Sequence, residues 1–393
     1  MKTNRRTFIK QTAFISAGTL LVPQFVRAYA PANNTGKRLI IIQFSGGNDG
    51  LNTVIPFNND IYYKSRPQIA IQSAEVLRLT DELGFNPHLE ALKSLYDDGD
   101  LSIINSVGYP NPNRSHFRSM DIWHTASGSD EFMSYGWLGK YLDQKQSINA
   151  YHAIEVDDSL SLAMKGAKHN GLATTDPNRM WSTTKDPQIQ QTKRTHVDEH
   201  SNLGYLRKTM VETVDAAEYV NQKNKNGRSS TSYPNTELGR NLKLTAQLIN
   251  GGAATKVFYI SMGGFDTHFN QIQRQQKLHK EFSDALSVFV KDLKDANNWK
   301  DTLILNFSEF GRRVSQNGSQ GTDHGTASNV FVMGGGLKRP GFFNEAPDLS
   351  DLDEGDLKFQ IDFRSVYATV LENWLGGNST GIISGQHKKL NIV

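Results

Sequence analysis

The chain has no cysteine in 393 residues. Disulfides, thiolate metal sites, iron–sulfur clusters and lipid attachment at an N-terminal cysteine are therefore excluded. A strong charge of one sign is missing as well: 43 Lys and Arg stand against 40 Asp and Glu. A nucleic-acid partner has no electrostatic support in that balance. Gly334-Gly335-Gly336 belongs to neither G-x-G-x-x-G nor G-x-x-x-x-G-K-[ST], so it reads as a turn rather than a phosphate cradle. There is no internal repeat. Long apolar runs are also absent, because the stretch 11–26 contains Gln11, Thr12 and Ser16 and is too short and too polar for a membrane span.

At 37% hydrophobic residues, the chain can bury a large core. The first residues stand apart from that core. Arg5-Arg6 precedes the mildly apolar run and resembles a twin-arginine export signal, with Asn4 at the usual Ser or Thr position. Cleavage is expected after Ala28 or Ala30, with Pro31 disfavouring the second. Residues 1–28 carry five basic residues and no acid, so removing them leaves 38 against 40, a formal −2. The expected location is periplasmic or secreted. The twin-arginine translocation machinery is the expected partner, and no stable membrane span should remain after signal removal.

The mature chain begins a βαβ rhythm. Residues 38–44 form a near-continuous apolar run, the mark of a central strand covered on both faces. Helix is expected over 87–96 from Pro at a first position, followed by a strand at 101–107. Later come a helix at 236–249, a strand at 257–261, a long helix from about 269 to 297, strands at 302–307 and 329–333, and a closing helix at 363–375. This predicts an α/β fold, a mostly parallel central sheet with helices on both faces, over 36–393. Between about 127 and 235 the pattern loosens into polar stretches, read as a cap or insertion. Trp123, Trp137 and Trp181 either line a cleft there or pack.

The expected strand ends carry chemistry. Ser45-Gly46-Gly47-Asn48-Asp49 follows the first strand and delivers Asp49 or forms an Asp-Gly turn. Arg114-Ser115-His116 follows the second, where Ser115 is a helix cap or a nucleophile beside His116. Gly263-Gly264-Phe265-Asp266-Thr267-His268 follows another, as a ligand pair or a helix cap at Asp266. Ser308 and Glu309 then open a loop containing Arg312, Arg313, Asp323 and His324. In a parallel sheet these ends share one edge. Carboxylates with imidazoles and no thiolate suit a divalent ion such as zinc, manganese, magnesium or calcium.

GGNDGLN, RSHFRSMDIW, GGFDTH, SEFGRR, GTDHGTASN and FRSVYATVLENWLG, with the twin-arginine start, closely resemble the exported bacterial family called domain of unknown function 1501. That family is grouped with alkaline phosphatases, sulfatases and phosphomutases. The resemblance implies an alkaline phosphatase-like sandwich acting on phosphate or sulfate esters, with a small-molecule or glycan ester as substrate. It further implies Asp49, Asp266, His268, Glu309 and His324 as metal ligands and Ser115 as nucleophile. Arg312 or Arg313 would clamp a tetrahedral anion, and His116 would protonate the leaving group. Phe310 stands where the superfamily has a metal-binding histidine. A non-catalytic exported binding or assembly protein related to polysaccharide is the alternative, and an exported oxidoreductase is a third.

Overall fold

The computed structural model describes residues 36–146, 148–194, 202–229 and 231–393, so the signal expected over 1–28 lies outside the described residues. The unit Lys37–Val393 is built on strand β1, Arg38–Phe44. Around it lie helix α1 (Glu90–Asp97), β2 (Leu101–Gly108), α2 (His116–Thr125) and α3 (Trp137–Asp143). There follow β3 (Ala153–Glu155), β4 (Leu172–Ala173), α4 (Glu237–Asn250), β5 (Val257–Met262) and α5 (Gln271–Asp295). The chain closes with β6 (Thr302–Ser308), β7 (Ser328–Gly334) and α6 (Phe363–Thr369).

The central sheet runs in the order β2, β7, β6, β1, β5, β3, β4, with Gly341–Phe342 and Ile361–Asp362 added parallel to β2. β1 pairs in parallel with both β5 and β6: Ile41 lies opposite Tyr259 on one side and Leu305 on the other. β7 alone runs antiparallel, against β2 and β6, so the sheet is mostly parallel.

The alternation of side chains sorts the strands into two layers. Ile40, Ile42 and Phe44 join Phe258, Ile260 and Ile304 under Leu92 of α1, Leu248 of α4 and Phe282, Leu286 and Phe289 of α5. Leu39 and Ile41 join Tyr259, Leu305 and Phe307 under Trp123 of α2, Trp137 of α3 and Tyr367 of α6. Leu39, Ile40, Ile41 and Ile42 are all fully buried, and each such burial stabilises by about 1.5–3 kcal/mol. The three-layer α/β arrangement is therefore the one that the continuous apolar runs require. Trp123 and Trp137 pack rather than line a cleft.

Three boundaries differ from the sequence reading. The helix expected at 87–96 begins at Glu90, because Asn86 Oδ1 takes the His88 amide at 3.1 Å and holds a turn there. The helix after His268 begins at Gln271 with Asn270 at its N-cap, so Asp266 caps nothing. The closing helix is α only to Thr369 and continues as a π turn over Val370–Trp374. Within 127–235, β3 and β4 extend the sheet beyond β5, and helices Pro177–Thr184 and Asn202–Asn226 follow. Among the described residues, no helix is long and apolar enough to cross a membrane.

Candidate metal centre

Because β1, β2, β5 and β6 run in parallel, their C-terminal ends open on one edge, and the loop between β6 and the antiparallel β7 starts and ends there. Gly46 makes the convergence possible. It sits at φ +120°, and a Cβ on it would lie 2.4 Å from the backbone nitrogen of Asp266. The β1 and β5 loops can thus approach as closely as backbone permits.

Three imidazoles meet one carboxylate at this edge. Asp266 Oδ1 lies 3.0 Å from His268 Nε2, 3.2 Å from His324 Nε2 and 3.5 Å from His116 Nε2. The two nearer imidazole nitrogens are 3.0 Å apart. Each ring is oriented from its other side. His116 Nδ1 bonds Glu309 Oε1 at 2.8 Å, His268 Nδ1 faces Asp323 Oδ1 at 3.3 Å, and His324 Nδ1 bonds the Arg114 carbonyl at 2.7 Å. With Nδ1–H donated to oxygen in all three, the Nε2 lone pairs point inward. Histidines that hold a metal are oriented in this way, by a carboxylate or carbonyl on the far nitrogen.

This donor set fits a divalent cation. Ligands about 2.0–2.1 Å from a tetrahedral ion stand about 3.3 Å from one another, and the separations of 3.0–3.5 Å around Asp266 Oδ1 bracket that value. His116 Nε2 is buried without a hydrogen-bond partner, an orphaned donor atom aimed at the cluster. Lone pairs crowded against a carboxylate oxygen repel unless a positive charge lies between them. His116, Asp266 and His324 form the one group of three or more such donors among the described residues whose ligand atoms all lie within 4.8 Å of each other. His268 stands beside that group, through its contacts with Asp266 and His324.

The surrounding groups hold the two carboxylates of the site ionised. Burial pushes Asp266 up, but the hydrogen bond and charge of Arg312 outweigh it and bring the carboxyl down to about 2. The Glu309 hydrogen bond raises His116, and burial lowers His324. Asp323 is held below the usual carboxylate range by its bond from the Asn317 amide.

Four of the expected assignments change. Asp49 does not join the cluster: it is buried in a two-pronged ion pair with Arg66, at 2.6 and 3.0 Å, and also takes the Leu51 amide. Arg66 lies 17 residues on and carries no motif that marks it as the partner. Glu309 stands behind the cluster rather than in it, accepting from His116 and from the Gly46 amide at 2.9 Å. His116, expected as a proton donor, turns its Nε2 toward Asp266. Arg312 is no anion clamp: its guanidinium is buried and bound to the carbonyls of Gly46, Gly47, Phe265 and Thr322 and to Asp266. Ser115 is exposed at the N-cap of α2 without a side-chain capping bond, between Arg114 and His116. Phe310 packs against both the His116 and His324 rings, with its centroid 4.8 and 4.9 Å from theirs. The sequence reading missed the orienting role of Asp323. Its position directly before His324 was the available signal.

Fold and site together define an α/β protein with a histidine- and aspartate-lined candidate metal centre at its strand ends. Residues 105–374 match the family described as "Protein of unknown function (DUF1501)", and the chain belongs to it. No curated protein matches the sequence. Solved structures similar to it include the C-terminal periplasmic domain of EcEptC from Escherichia coli in complex with Zn, with 12% identity and TM-score 0.36 over 76% of this chain and 72% of that one. Lipoteichoic acid synthase LtaP from Listeria monocytogenes gives 12% identity and TM-score 0.37 over 91% and 76%. Phosphonate monoester hydrolase SpPMH from Silicibacter pomeroyi gives 10% identity and TM-score 0.39 over 89% and 75%. With such TM-scores these structures transfer no residue role to this chain.

Proposed function

We propose that this chain is an exported, divalent-metal-dependent hydrolase or transferase of phosphate or sulfate esters. The observation that carries the reading is the inward convergence of three imidazole nitrogens on Asp266, each ring oriented by an oxygen acceptor. His116, Asp266, His268 and His324 would hold the ion. A divalent ion there supplies a Lewis acid that polarises an ester oxygen and lowers the pKa of a neighbouring hydroxyl or water.

The chain's own residues supply the rest. Arg312 pins Asp266 and ties together the three loops that bear the site. Glu309 and Asp323 fix the rings of His116 and His268. Ser115 offers an exposed hydroxyl at the start of the ten-residue α2, and a helix N-terminus favours an anion such as phosphate or sulfate. Export through the twin-arginine route, with cleavage after Ala28 or Ala30, completes the reading. The chain from 36 to 393 forms a single domain in this reading, with 127–235 as an insertion that adds β3 and β4 to the central sheet.

A second reading, a non-catalytic exported binding protein, has one observation in its favour. Arg312 is consumed by backbone carbonyls and Asp49 by Arg66, so Arg312 has no donor free for an anion, and a second group of metal ligands is not found among the described residues.

Elemental mass spectrometry of the mature protein, purified without chelator, tests the proposal against an Asp266→Ala, His268→Ala variant. About one equivalent of a divalent metal is expected, lost in the variant. Turnover of nitrophenyl phosphate or sulfate that disappears with the metal would favour the enzyme. A metal-free wild-type protein would overturn the metal centre.

A further inference from the structure

Two adjoining cavities lie along the same sheet edge as the metal centre. β3 and β4 run parallel to β5, so their C-terminal ends open on that edge too. The smaller cavity, about 150 Å³, lies between β1, β5, β3 and α2 and is lined by Gln43, His124, Glu155, Asp157, Tyr259 and Ser261 among others. The larger, about 560 Å³, opens beyond β3 and β4 and includes Asp157, Asp158, Thr174, Asp176, Arg179 and Met180. Asp157 belongs to both.

Glu155 is the group without an explanation. It is 4% exposed and lines the smaller cavity, yet among the described residues it has no salt bridge. Its hydrogen bond is from the Ser161 amide to Oε2 at 2.7 Å. Lys165 acts on it only at a distance, without a salt bridge among the described residues, and the groups nearer to it add no positive charge. His124 is held neutral by burial, with its proton lost above about 4, Tyr259 is raised well above its ordinary value, and Asp157 adds negative charge. A buried carboxyl without an ion-pair partner either keeps its proton, as burial favours here, or is completed by a cation, and Glu155 faces an open cavity through which a cation can reach it. The larger cavity beside it combines threonine hydroxyls and three aspartates with the apolar side chains of Met180, Ile189, Met210 and Val214, and Arg179 is its single basic residue, a lining suited to a hydroxylated body with apolar faces and not to an anion.

We propose that these cavities bind a ligand carrying a primary ammonium, seated on Glu155 in the smaller cavity, with a hydroxylated body in the larger. As the non-reacting part of the ester substrate, this ligand rests on the catalytic reading of the metal centre. Gln43 ends three residues before Gly46, and Met120, which also lines the smaller cavity, stands one helical turn after His116, so the two sites share β1 and α2.

Calorimetric titration of the metal-loaded mature protein with glucosamine, ethanolamine and glucose tests this. Glucosamine should bind at least about tenfold more tightly than glucose, and Glu155→Gln should remove the difference while its metal content stays that of the wild type. Asp157→Asn, at a partly exposed position, should weaken glucosamine without a change in melting temperature. Ethanolamine equal to glucosamine would assign the site to a small head group, and ethanolamine much weaker would assign it to an amino sugar. Equal binding of glucose and glucosamine, undiminished binding in both variants, or no binding of either amine would overturn the proposal. Amine binding that survives Asp266→Ala, His268→Ala would leave this site standing even if the metal reading failed.

Discussion

Glu309 offers the sharpest test of the metal centre, because it never touches the ion in this reading. Its Oε1 accepts from both His116 Nδ1 and the Gly46 amide, and its Oε2 takes the Ser308 hydroxyl at 3.2 Å. Glu309→Gln can keep a carbonyl oxygen at Oε1 and so preserve both bonds while removing the charge. Charge-assisted hydrogen bonds are roughly twice as strong as neutral ones, and orienting partners of metal-bound histidines contribute about 10–100-fold in metal affinity. That range equals about 1.4–2.7 kcal/mol. Asp323 orients His268 in the same way, but its side chain is 59% exposed where that of Glu309 is fully buried. Solvent screening limits such a pair to about 0–1 kcal/mol, or less than about fivefold.

The expected order is therefore Glu309→Gln well below Asp323→Asn, with Asp323→Asn close to the wild type. Competition between the metal-free proteins and a chromophoric zinc chelator measures it, with the melting temperature of each metal-free variant as the folding control. Equal affinities for the two variants, or no loss in Glu309→Gln at unchanged stability, would refute the claim that the His116 imidazole is a ligand set by Glu309.

Four further outcomes follow from the same contacts. Arg66→Ala leaves Asp49 buried without its partner and should cost about 3–5 kcal/mol in urea unfolding, whereas a loss under about 1 kcal/mol would mean the pair is dispensable. Burial holds His124 at about 4 and His279 at about 3, so the unfolded chain takes up protons first and stability is lost as pH falls from 6.5 toward 4, by about 1.4 kcal/mol per pH unit for each. Melting curves between pH 7 and 5 should show that slope, and His124→Gln should reduce it. Burial raises Glu155 to about 7, the opposite sign: its contribution is present below pH 4.5 and lost by pH 7, up to about 3 kcal/mol. Glu155→Gln should thus raise the melting temperature at pH 8 and leave it unchanged at pH 4. Replacing Arg5 and Arg6 by lysines should hold the full-length precursor in the cytoplasm, as read by the mass of the exported protein.

The elements that carry the fold were legible because their apolar runs are nearly continuous: 38–44 and 302–307 read as strands covered on both faces, and the structure places them side by side. Asp266, His268 and His324 were legible because glycine-rich turns at strand ends announce them. The partners were not. Glu309 lies 193 residues from the imidazole it orients, and nothing local says whether a carboxylate at a strand end will meet an ion or a ring nitrogen first. Asp49 and Glu309 look alike in sequence, each an acid after a strand. Arg66 takes one and His116 the other.

The same competition explains why Arg312 could not be read. A guanidinium beside a suspected anion site suggests a clamp, but a clamp must have free donors, and here the loops needed them more. Gly46, Gly47, Phe265 and Thr322 belong to three chain segments that approach too closely for side chains to separate them, and their carbonyls would be buried unpaired without a donor of Arg312's reach. The glycines that allow the approach therefore create the demand that Arg312 meets. Asp266 receives the last of its contacts, and so the carboxylate at the centre of the three imidazoles is fixed by the residue that also holds its loop. Whatever recognises the distal part of a substrate has to lie outside that knot. The unpaired carboxylate at Glu155, on the neighbouring strand ends, is where the structure leaves that capacity.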